Sequence, residues 1–151
     1  TERNTLLTTV KRYVQKGILY RIHKGYYASV PPQKIEPEKL ALGALHRYGY
    51  LSAETVLALH GIIHQEIKFI TLVSSISLKF QVAGHACRVR KLSDKFLYNH
   101  TGITVKNGVS TATVERAAAD LLYFSPSYYL DERNLIDWKT VKRFQKAIGY
   151  L

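Results

Sequence analysis

Ten side chains near the start of the chain have the types and spacing of a polyanion contact: Arg3, Asn4, Thr5, Thr8, Lys11, Arg12, Gln15, Arg21, His23 and Lys24. Short hydroxyl and amide groups reach base edges and phosphates. Arg and Lys pair with phosphate or guanine. Basic groups at a hairpin tip meet phosphates, which fix position without reading sequence. A second basic set comprises Arg88, Arg90, Lys139, Lys142, Arg143 and Lys146. It is either a solvated face or a further contact, with DNA backbone or an acidic partner.

Catalytic and metal chemistry has less in its favour. His60 and His64 are four apart with Glu66 nearby. Metal-binding histidines use that spacing on a helix, but Gly61 interrupts it and the order is not HExxH. His85 and Cys87 alternate along a strand pattern without a third ligand nearby. Asp94, Asp120, Asp131 and Asp137 do not pair as a nuclease centre would, and there is no glycine-rich phosphate loop. The reading is therefore no catalytic residues, no metal and no cofactor. Arg116 and Asp120, spaced i, i+4, are expected to form a structural salt bridge.

The first set needs a helix and a hairpin to carry it. Leu6, Leu7, Val10, Tyr13 and Val14 fall on one helical side, opposite Asn4, Thr5, Thr8, Arg12 and Gln15. Gly17 stands where a helix-closing glycine belongs. Residues 18–22 alternate as a strand, His23-Lys24-Gly25 makes a turn, and residues 26–28 return. A helix running directly into a basic-tipped hairpin is the second half of a winged helix-turn-helix, with the helix in a major groove and the hairpin as wing. Tyr26 and Tyr27 are expected to pack that wing onto the helix. The chain has no methionine. The natural protein is accordingly expected to extend further N-terminally and to supply the two earlier helices.

Charge agrees with a polyanionic partner. Of a net +11, residues 1–36 hold seven Lys/Arg against two Asp/Glu, and residues 37–151 hold fifteen against nine. DNA, RNA or an acidic protein would each suit that balance. The single cysteine, Cys87, rules out an internal disulfide framework and fits a reducing cytoplasm. No apolar run approaches the roughly 18 residues of a membrane span.

Residues 30–37 (VPPQKIEP) read as a linker between a DNA-binding half, 1–30, and a second domain, 38–151. Beyond it come a helix over 38–48 stopped by Gly49, and a helix capped by Ser52 with Glu54 in its first turn. Strands follow from about 66, and Arg88 and Arg90 suggest a wet basic sheet face. Asn107-Gly108 marks a type I′ hairpin. Helices over 111–124 and 137–148 close the chain. The fold class is α+β: a partial winged helix-turn-helix, then a small, mainly antiparallel sheet flanked by helices.

Three blocks in order, KGILYRIHKGYYA, ALHRYGYLSAETVLALHGI and GVSTATVERAAADLLYFSP, resemble the AbiEi antitoxin family of bacterial abortive-infection, type IV toxin–antitoxin systems. The likeness runs over about residues 6–126. It implies a winged helix-turn-helix joined to an α/β antitoxin domain, with residues 3–24 reading DNA and 41–122 forming the antitoxin part. It implies two activities. One is autorepression through double-stranded operator DNA, as inverted repeats. The other is neutralisation of a cognate nucleotidyltransferase toxin, without need of a stable complex. Two other classes stay open: a nucleic-acid-processing enzyme domain using the basic surface, and an RNA-binding adaptor.

Overall fold

Glu2–Gln15 form α1, the first element of a computed structural model that describes residues 2–151. Thr1, the first residue of the expected DNA-binding half, lies outside them. Gly17 closes α1 at φ 73°. The Ile18 amide donates to the Tyr13 carbonyl at 2.9 Å and the Gly17 amide to Val14 at 3.1 Å. That pair is a Schellman closure, which needs a left-handed residue and so favours glycine. Leu19 also donates back to Tyr13. Residues 18 and 19 are thus spent on the helix end, and β1 is Tyr20–His23 rather than 18–22.

β2 is Tyr26–Ala28, and only Lys24 and Gly25 separate the strands. His23 is therefore a strand residue opposite Tyr26, not part of the turn. A bulge between Arg21 and His23 shifts the register and twists the hairpin.

After a 3₁₀ turn at Pro32–Lys34, α2 spans Pro37–Leu45. It stops at His46, which takes φ 57°, and not at Gly49. Gly49–Leu51 is a strand, β3, buried along its whole length. Then come α3 (Glu54–Leu59), β4 (Ile70–Ser74), β5 (Leu78–Val82), β6 (His85–Lys91) and the short α4 (Asp94–Leu97). β7 (Ile103–Lys106) and β8 (Val109–Ala112) meet at the expected Asn107-Gly108 turn, both residues with positive φ. α5 (Val114–Phe124) starts three residues later than read, because Thr113 caps it by accepting the Arg116 amide. α6 is Trp138–Ile148, capped by Asp137.

The sheet order is β5-β6-β4-β3-β8-β7. β3 and β4 form an antiparallel centre, and each outer hairpin joins it in parallel, β6 beside β4 and β8 beside β3. The fold is α+β with a mixed sheet, in which three of the five strand pairings are antiparallel and two parallel. Tyr50 of β3 reaches α5, while its neighbour Gly49 abuts Leu45 of α2. Adjacent strand residues face opposite ways, so α2 covers one face and α3, α5 and α6 the other. No helix among the described residues is long and apolar enough to cross a membrane.

The hairpin belongs to this core. Ile22 is buried in it, and Tyr20, Tyr26 and Ala28 pack against it. The proline linker therefore does not divide two cores. Nor does Tyr26 serve α1: its ring lies on α2 at Gly43, where a Cβ would sit 2.4 Å from the ring. Gly43→Ala should displace the ring at a cost of about 1–3 kcal/mol. Amide exchange in β1–β2 should quicken with it. The loss should largely vanish in a Tyr26→Ala background; an undiminished loss there would mean that the ring is not what Gly43 accommodates.

Candidate nucleic-acid interface

α1 buries no residue. Arg3, Asn4, Thr5, Thr8, Lys11, Arg12 and Gln15 are all exposed on it. So is much of the side expected to face inward: Leu6 is 63% exposed and Leu7 55%. The sequence reading of a packed apolar face thus meets no cover among the described residues. The Thr8 hydroxyl donates to the Asn4 carbonyl at 2.8 Å, which leaves its oxygen as an acceptor. Among the described residues, Lys11 and Arg12 have no carboxylate partner.

The hairpin splits its three expected contacts. Arg21 and Lys24 are exposed, on β1 and in the turn. His23 points inward: its ring meets Phe80 of β5 at 5.7 Å, and Nδ1 is buried without a partner. The tip is fixed to the sheet domain by His46 Nε2, 2.8 Å from the Lys24 carbonyl oxygen. Gly17, Gly25 and this tie set the path from helix to wing.

The second basic set does not form one surface. Arg90 is inside, its side chain 14% exposed, 3.2 Å from buried Glu54 and over the Phe124 ring at 5.2 Å. The wet basic sheet face read from alternation is thus corrected at Arg90, where α3 and α5 cover it. Arg88 is half-buried beside Phe69 at 5.7 Å. Lys139, Lys142, Arg143 and Lys146 keep an exposed stripe along α6, while Val141 and Ile148 are buried beneath it.

The deepest charges are Arg116 and Asp120, both fully buried, with Nε 3.0 Å from Oδ1. Nη1 donates to the carbonyls of Asn99 and Thr101, each at 2.7 Å. Nη2 donates to the Tyr50 hydroxyl at 3.0 Å and to the Phe96 carbonyl at 3.3 Å. Asp120 also accepts from Tyr50 and Ser52, both at 2.8 Å, and from Tyr150 at 2.6 Å. Ser52 is therefore no helix cap; Ala53 precedes α3 without a side-chain bond. Burial, then the Asp120 charge, push the Tyr50 and Tyr150 phenols up. For Arg116, burial is the largest influence and works against the charge, but Asp120, Tyr50 and Tyr150 together outweigh it and the net direction is upward.

The histidines do not converge. His60 Nδ1 contacts the Val56 carbonyl, whereas His64 pairs with Glu132 at 3.2 Å. No group of three or more metal-ligating side chains occurs among the described residues. Burial pushes the Cys87 thiol up to about 11, away from thiolate chemistry at neutral pH. No protein-family model matches the chain, and no curated protein does.

Sequence reasoning found Arg116 and Asp120 by spacing but missed Tyr50, Ser52 and Tyr150, which come from distant elements. Asp120→Ala should cost about 3–5 kcal/mol in urea unfolding, because it strands a buried guanidinium. A loss under 1 kcal/mol would show Arg116 to be adequately held by carbonyls alone.

Alkaline stability follows from the raised phenols. Above pH ~10 the unfolded chain releases tyrosine protons that the folded chain keeps, so stability falls as pH rises. Tyr150→Phe should flatten that fall by close to one proton in stability–pH profiles. An unchanged slope would place Tyr150 outside the linkage.

Proposed function

We propose that this chain is a DNA-binding antitoxin of a bacterial type IV abortive-infection system. In this reading it represses its own operon through inverted repeats and counteracts a nucleotidyltransferase toxin in the cytoplasm. It acts without catalysis and without a stable complex as a requirement. The observation that carries the DNA half is α1 itself, a helix without a buried residue and with Lys11, Arg12 and Gln15 outward, tied by Gly17 to a hairpin that presents Arg21 and Lys24. In this proposal α1 is the recognition helix and β1–β2 the wing of a winged helix-turn-helix. The docking of β1–β2 on α2 supports it physically, since a wing must be held rigidly to position a reading helix.

The resemblance of the three sequence blocks supports the antitoxin half. Two of them fold around one interior: the second block supplies β3 and α3, the third β8 and α5. They share the Tyr50, Ser52, Arg116 and Asp120 network. That network is sealed from solvent, so it is a scaffold for the domain's surface and not its working face.

The test is binding of the protein, as its gene encodes it, to its own upstream DNA across a salt series. Arg12→Ala should weaken operator binding by ~1–3 kcal/mol and relax sequence preference. Equal loss on random duplex would make Arg12 a phosphate contact only. Lys24→Ala should weaken both duplexes alike and reduce the salt slope by roughly one. Absence of selective binding by the wild type would sink the repressor reading.

A further inference from the structure

A basic cleft lies on the sheet, remote in sequence from the proposed DNA reader and independent of it. A cleft of about 400 Å³ opens beside the β5–β6 hairpin and the segment leading into β4. Lys79, Gln81 and Arg88 contribute its polar groups and Phe69 its aromatic ring; Phe80, Ala86 and Cys87 complete the lining, and none of its lining residues is acidic. Register explains the polar concentration. Lys79 pairs directly with Arg88, and Gln81 with Ala86, so these four share one sheet face.

That pairing is unfavourable as it stands. Like charges directly opposite on neighbouring strands repel and destabilise an antiparallel pair. Nothing nearby neutralises this one. Among the described residues, neither the Lys79 ammonium nor the Arg88 guanidinium makes a side-chain hydrogen bond or an ion pair. Arg88 instead lies over the Phe69 ring, which fixes the guanidinium in place and leaves its N–H donors unspent. Arg90, two residues along the same strand, shows the contrast, since Glu54 compensates it. Two uncompensated cations at one spot, with a free amide and an aromatic wall, form a receptor for an anion that carries a ring.

We propose that this cleft binds a nucleoside phosphate, with the phosphate between Lys79 and Arg88 and the base against the Phe69 side. The volume is within the range of small-molecule sites. Inorganic phosphate would use the cations and waste the wall; an unphosphorylated nucleoside would do the reverse. The same chemistry is presented by a free nucleotide and by one residue of a single strand. The α6 stripe also sets a cation over a ring, Arg143 over Phe144 at 5.7 Å, but lacks the cross-strand cation pair of Lys79 and Arg88.

The experiment is titration of the isotopically labelled full chain, followed by amide shifts, with AMP, adenosine, inorganic phosphate and a short single-stranded oligoadenylate. AMP should shift β5 and β6 amides saturably, with adenosine and phosphate each much weaker. Lys79→Ala should weaken AMP by about tenfold or more. Its melting temperature should stay the same or rise, since the variant relieves a repulsion. Lys34→Ala, the same charge removed elsewhere, should change nothing. Tighter oligoadenylate binding through the same amides assigns the site to a strand, and no gain over AMP assigns it to a free nucleotide; either supports the site. Three results overturn it: shifts confined to α1, β1–β2 or α6; phosphate binding as tightly as AMP; or equal losses in Lys79→Ala and Lys34→Ala. Duplex binding through Arg12 is read separately, so either proposal can fail alone.

Discussion

The buried pair of Arg116 and Asp120 is the constraint around which the sheet domain is arranged. Taking two such charges out of water costs several kcal/mol per ion, and their attraction repays this only when the remaining donors and acceptors are also met. Here they are. The guanidinium meets three backbone carbonyls, and the carboxylate accepts three hydroxyls besides its partner. These bonds come from four separate parts of the chain, so the pair states where β3, α4, the segment after α4 and the chain's end must lie relative to α5. A hydrophobic pair of the same volume would fill the space without dictating those positions. Partial satisfaction would be worse than none, which makes the arrangement all-or-nothing.

Two kinds of signal were legible in the sequence. Local chemistry was one: Gly17 marked a helix end, Asn107-Gly108 a tight turn and the i, i+4 spacing of Arg116 and Asp120 an ion pair. Periodicity was the other, and it located α5, α6 and the outer hairpins. β3 was not legible. It has three residues, is buried on both faces and therefore shows no alternation. Its leading glycine reads as a stop, although the small residue is needed where Leu45 and the Val73 carbonyl close in.

The candidate sites were harder to read for one physical reason. Alternation assigns residues to a face but does not say what covers it. Arg88 and Arg90 share a face, yet α3 and α5 cover one and leave a cleft at the other. His23 was read as a tip residue because a basic group beside Lys24-Gly25 suits a wing, and one position of register moved it inward against Phe80. Ser52 had a capping residue's type and place, but its hydroxyl is claimed by Asp120 from far along the chain. Exposure, unlike pattern, separates the residues of α1 that face outward from those of the sheet that do not.

The order of strands also fixes an order of events during synthesis. β5–β6 and β7–β8 are neighbours in sequence and can zip as soon as they emerge. β3 can pair with β4 early, but its other edge must wait: Leu51 finds its parallel partner only at Thr111, and the carboxylate that satisfies Tyr50 and Ser52 arrives nine residues later, at Asp120. Long-range parallel pairing is slow and leaves edges uncovered meanwhile. On the ribosome, the β3–β8 seam and the polar network beneath it are thus the last part to become native. A truncated product ending before α5 would carry β3 with the Tyr50 and Ser52 hydroxyls lacking the Asp120 carboxylate, a species for chaperones and proteases and not a smaller working domain.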